Sequence, residues 1–181
     1  MEKSVSMPLG VVVRKSPGVT RWAKWVWKAV AVLPGAGPAD WKEMRQDGEA
    51  VEYHAGTLPL TLYRTDTEAY LNGLTAPVPS IYVVLRDDLG EVSLHAVTAS
   101  PYEAQDYLDS GEEIVEPVPM PEGLVAWIRE FVDRHHKDEA FIKRRRDKKR
   151  IDLVEDGIGD ARIRQTADVF RSPGSKKIRL Q

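Results

Sequence analysis

"SIYVVLRDDLGEVSLHAVTAS", residues 80–100, decides the fold class of this chain. Two runs rich in β-branched residues, 81–86 and 92–98, flank the turn-forming "DDLGE", so the segment reads as an antiparallel hairpin. Outward toward the N-terminus the pattern repeats. "PLGVVVRK" (8–15) is a short strand ended by the turn signal "SPG". "WVWKAVAVLPGAGP" alternates apolar side chains at Trp25, Trp27, Ala29 and Ala31 and stops at Pro34. "AVEYHAG" and "LPLTLYRT" read as a second hairpin with Gly56 near its turn. "TDTEAYLNGLTAPVPS" is either a helical turn or an irregular edge. Strands that follow one another through short turns, with no βαβ unit, predict an antiparallel meander.

Beyond the hairpin the periodicity changes. In "TASPYEAQDYLDSGEEIVEPVPMP" (98–121), Ser100 is an N-cap, Pro101 takes the first helical position and Glu103 completes a capping box. Gly111 ends that short helix. The prolines at 117 and 119 confine the following segment to a sheet edge or loop. A longer helix then starts near Pro121, with Leu124, Ile128, Phe131 and His135 on one stripe. After His136 it loses its apolar face and becomes basic. The expected fold is α+β: an antiparallel meander or partly closed barrel of about six to seven strands, one short capped helix and a long C-terminal helix with a basic extension. Residues 1–140 form the domain, and 141–181 the basic helix extension and tail.

The 181 residues contain no cysteine, which excludes disulfides, Fe–S clusters, Cys-bound zinc and thiol nucleophiles. Neither a secretory signal nor an apolar run of membrane-spanning length is evident, so a cytoplasmic protein with no membrane partner is expected. Charge is unevenly spread. Residues 141–181 hold 13 basic and 6 acidic side chains, net +7, whereas the first 140 hold 13 and 22, net −9. Such segregation points to interaction surfaces.

Paired carboxylates can run acid–base chemistry when burial separates their pKa values. The acids of the 98–121 stretch read instead as an outward surface, with Asp106, Asp109, Glu112, Glu113 and Glu116 as the partner-binding set. The histidines offer no H-x-x-x-H or H-E-x-x-H spacing, so no metal site is expected. No G-x-S-x-G elbow, Walker A sequence or dinucleotide fingerprint is present, and no catalytic residue is assigned. Trp22, His54, Tyr63 and His95 are the candidate lining of a pocket. Trp25 and Trp27 share a strand face, where one of them builds core. Seven of the eight residues 143–150 are basic (Lys143, Arg144, Arg145, Arg146, Lys148, Lys149 and Arg150), a grip for an acidic partner.

"MPLGVVVRKSPGVTRWAKWVWKAVAVLPG", "LYRTDTEAYLNGLTAPVPSIYVVLR" and "VTASPYEAQDYLDSGEEIVEPVPMPEGLVAWIREFVDRH" resemble consecutive blocks of a proteobacterial family of domains of unknown function. The resemblance covers about residues 7–136 and leaves out the basic tail. It implies gene neighbourhoods of molybdenum-dependent formate dehydrogenase and its maturation chaperones, and it carries no established catalytic residues over to this sequence. The function expected is a non-catalytic cytoplasmic accessory protein that binds a protein partner, a molybdoenzyme subunit or maturation chaperone, with no cofactor of its own. A homo-oligomer is compatible with this. One alternative is a small-molecule or cofactor-binding β domain with enzyme activity, and another is nucleic-acid binding through the basic tail.

Overall fold

In a computed structural model, which describes residues 3–137, the 80–100 hairpin forms as its sequence requires. β5 (Ser80–Asp88) and β6 (Glu91–Thr98) are joined by a two-residue turn in which Leu89 and Gly90 both have positive φ, 56° and 96°. Positive φ at both central residues is the twist-matched arrangement for a tight hairpin. The Asp87 carboxylate accepts the Gly90 amide at 2.7 Å and closes the turn.

Among the described residues, seven strands make two antiparallel sheets. The other strands are β1 (Ser4–Pro17), β2 (Trp25–Pro34), β3 (Lys42–Asp47), β4 (Ala50–Tyr63) and β7 (Ile114–Pro119). One sheet has the order β2-β1-β4-β3 and the other β6-β5-β7. β7 lies against β2, and β6 against β4, without a hydrogen-bonded ladder. The fold is therefore α+β with two facing sheets, and no closed barrel forms among the described residues. Leu9, Val11, Val13, Leu60 and Leu62 meet Ile81, Val83, Leu85 and Val118 in one core, all at most 1% exposed. Among the described residues three α-helices complete it: α1 (Thr67–Thr75), α2 (Pro101–Ser110) and α3 (Glu122–His135). Tyr70 of α1 and Leu124, Ile128, Phe131 and Val132 of α3 close the core.

Two expectations are corrected and one open alternative is decided. The presumed hairpin over "AVEYHAGTLPLTLY" is one strand, β4, paired along most of its length with β1. Gly56 is not a turn residue. A Cβ there would stand 3.0 Å from Leu94 Cδ1 of β6, so glycine allows the two sheets to approach. Pro59 is tolerated because it faces Pro8, where neither residue has an amide to donate. The polar β3, exposed at every residue, adds an edge that carries no burial pattern. The ambiguous segment after β4 contains α1. Finally, α3 stops at His135, and His136 is extended. The basic extension at 143–150 and the tail at 151–181 lie outside the described residues.

Each ladder except β5–β7 carries a bulge. Val30 is the extra residue of β2, Ala55 of β4, Met44 of β3 and His95 of β6. The first three fall beside one another, level with residues 11–14 of β1, and bend the larger sheet along a single band. The bulge at Val30 explains why Ala29 and Val32, three apart, are both core residues.

Candidate functional site

The α2–β7 segment holds the acidic set. Ser100 accepts the Glu103 amide at 3.2 Å, and Gly111 caps the C-terminus of α2 in the left-handed conformation with φ 70°. The other half of the capping box departs from expectation. Thr98 Oγ1 accepts the Ser100 amide at 3.0 Å and donates to Glu103 Oε2 at 2.6 Å, so a threonine relays the reciprocal bond.

The five acids take different positions. Asp106, Asp109 and Glu112 are exposed, and Asp109 accepts Gln105 Nε2 at 2.7 Å. Glu113 turns toward Arg86 of β5, at 2.9 Å, and its side chain is only 6% exposed. The Ser110 hydroxyl (2.5 Å) and the Arg86 guanidinium hold its carboxyl below the ordinary value. Glu116 is half-buried opposite Val83, on the face that Val118 and Ile81 give to the core. Three large apolar side chains stand among the exposed acids: Tyr102 (52%), Leu108 (51%) and Ile114 (40%).

A cleft of about 350 Å3 opens where α1 and α2 begin, and Asp66, Glu68, Glu103 and Asp106 line it. Burial pushes the neighbouring Tyr70 phenol up to about 12. The hydrogen bond from the Tyr63 amide opposes that shift, and the charges of Asp66 and Glu103 add to it.

Trp22, His54, Tyr63 and His95 have separate surroundings. Trp22 is 94% exposed between β1 and β2. Thr57 donates its hydroxyl proton to Gly37 O at 2.6 Å, so the His54 Nε2 at 3.0 Å from that hydroxyl must donate. His54 thus fixes the loop after β2, and a Cβ on Gly10 would lie 2.7 Å from the same nitrogen. Tyr63, half-exposed, gives its amide to Tyr70. His95, aimed by the β6 bulge, accepts Arg86 Nη2 at 3.3 Å and meets the Tyr107 ring edge-on. The hydrogen bonds and ring contacts of His54, Tyr63 and His95 run to different neighbours, and none of these bonds joins two of the four residues. Trp27, Trp41 and Tyr53 do gather, with ring centroids 5.4–6.3 Å apart, against one end of the core. No group of three or more potential metal ligands occurs among the described residues. No described helix is long and apolar enough to cross a membrane.

One feature escaped the sequence reading. From Arg14 to Lys28 the β1–β2 hairpin has five cations and three tryptophans, and no acid occurs between Glu2 and Asp40. The interleaving of basic and aromatic residues, rather than a basic run, was the available signal. Lys15 Nζ lies 4.5 Å over the Trp25 ring and 5.1 Å over Trp27.

No curated protein and no solved structure matches this chain. A family model described as a protein of unknown function, DUF3305, matches residues 8–146. That range includes the blocks quoted above except their first residue, Met7, and, beyond them, the start of the basic run as far as Arg146. The chain belongs to the DUF3305 family.

Proposed function

We propose that this chain is a non-catalytic accessory protein that docks a protein partner through its α2–β7 segment. The observation that carries the reading is the mixture on that surface. Asp106, Asp109 and Glu112 are exposed beside the equally exposed Tyr102, Leu108 and Ile114. Apolar anchors with a charged rim are the composition of a docking patch, in which the charges steer a partner of opposite sign. The fitting partner presents a cationic, amphipathic segment. Glu113 belongs to the support of this surface, because it ties α2 and the start of β7 to Arg86.

The finer reading is a cytoplasmic role in assembly or maturation of a molybdenum-dependent formate dehydrogenase, with the residues at 143–150 as a second, basic contact. It is supported by the family resemblance and by the opposite charges of the two parts of the chain. The test is affinity measurement against purified formate dehydrogenase subunits and maturation chaperones. Reversing Asp106, Asp109 and Glu112 to lysine should weaken binding at least about tenfold, the equivalent of roughly 1.4 kcal/mol. The thermal transition should not change. Undiminished affinity in the triple variant would remove the docking assignment. A partner from another system would remove only the finer reading.

A further inference from the structure

The β1–β2 hairpin combines two properties that neither the core nor the docking segment uses. Its end is apolar and fully exposed: Val19 is 100% and Trp22 94% accessible, with Val26 (45%) and Trp25 (39%) behind them. The hairpin itself carries five cations and no acid: Arg14, Lys15, Arg21, Lys24 and Lys28. Arg14 is paired with Glu52 of β4 at 2.9 Å, and the other four form the collar. The neck is tightly closed. Gly18 donates its amide to Lys24 O at 3.0 Å, and a Cβ on Gly18 would fall 1.6 Å from Ala23 O. Only glycine permits that crossing, and the closure presents residues 19–22 as a narrow, convex tip. At about 3.3 Å per strand residue, Lys15 sits roughly 10 Å and Lys28 roughly 13 Å from the neck, between one and two screening lengths at physiological salt, whereas Arg21 and Lys24 are at the tip itself.

We propose that this tip inserts into the interfacial layer of an anionic lipid membrane, with Val19 and Trp22 among the headgroups and the cations around them. The chemistry agrees on each side. An indole and a branched aliphatic side chain suit the headgroup boundary, and a polybasic collar suits anionic lipid. Outside residues 14–28, the first 140 residues hold 8 cations and 22 acids, so repulsion of the remainder leaves the hairpin as the approaching end. Single-stranded nucleic acid fits less well. Tracking a strand takes successive stacking platforms. Trp22 is open, but Lys15 lies over Trp25 and Trp27 and Trp41 packs edge-on against Trp27, so the hairpin offers one open indole and not a row of them. The expectation of no membrane partner came from the lack of a spanning segment, and a hairpin tip needs none. This inference rests on residues separate from the α2–β7 docking surface.

The test is co-sedimentation of the full chain with phosphatidylcholine vesicles, with and without phosphatidylserine, at low and physiological salt. Binding should require phosphatidylserine and weaken with salt. Trp22→Ala with Val19→Ser should reduce it by about tenfold, and Arg21→Gln and Lys24→Gln by roughly fivefold each. Brominated lipid should quench tryptophan fluorescence in the native chain and much less in Trp22→Phe. The exposed tip variants should retain the native thermal transition, and the Asp106, Asp109 and Glu112 reversals should retain vesicle binding. Absence of binding to phosphatidylserine vesicles would overturn the proposal. So would binding that survives every tip and collar variant, which would assign it to the basic run at 143–150. Tip variants that abolish capture of a single-stranded oligonucleotide but leave vesicle binding intact would also overturn it, in favour of nucleic acid.

Discussion

Leu89 is fully exposed and adopts φ 56°, a backbone conformation that a Cβ opposes. Leu89→Asn places Asn-Gly in the turn and removes no packing, so it should stabilise the fold by about 1 kcal/mol, measured by urea unfolding. His135 acts in the other direction. Burial first, then the charges of Arg64 and Arg134, lower its pKa from the ordinary 6.5. The unfolded imidazole therefore takes up its proton before the folded one. Its contribution to stability is unchanged above about pH 6.5 and is lost as pH falls from there through the folded value. Denaturant unfolding across that window should show this slope in the native chain and a shallower one in His135→Gln, while the ring resonances should titrate below 6.5. Neither residue was legible beforehand in this role. "DDLGE" announces a turn but not which residue bears the strain, and His135 looks like a member of the apolar stripe until Arg64 is brought beside it.

At the scale of elements, legibility followed the range of the interactions. α2 and the β5–β6 hairpin are written in neighbouring residues, and both form where those residues place them. β4 was broken at Gly56 because nothing local says that the glycine faces Leu94 of another sheet. β3, "KEMRQD", has no apolar face to read. The acidic segment was recognised as a surface, but the inward turn of Glu113 depends on Arg86, 27 residues away in sequence. The cap of α2 yields a prediction about coupling. Ser100→Ala should cost roughly 0.5–2 kcal/mol, and Thr98→Val a comparable amount because the Ser100 amide loses its acceptor. Since Thr98, Ser100 and Glu103 form one network, the double variant should cost less than the two singles together. A fully additive cycle by chemical denaturation would show that the relay is absent.

At the scale of the molecule, every member of the core cluster among the described residues falls between Leu9 and Val132, within the compact unit Met1–Asp138. A chain shortened to end at Asp138 should therefore unfold cooperatively, with the same midpoint by circular dichroism within about 2 °C. A loss of cooperativity would mean that later residues complete the core. The band of bulges at Val30, Ala55 and Met44 bears on how that core is reached. In a regular ladder, a strand that pairs one residue out of step still satisfies its amides. Here an extra residue divides each ladder, so a slipped pairing that matches one half mismatches the other. Misaligned pairings are denied a complete set of hydrogen bonds. The irregularities that bend the sheet thus also act as a key that admits one alignment of its strands.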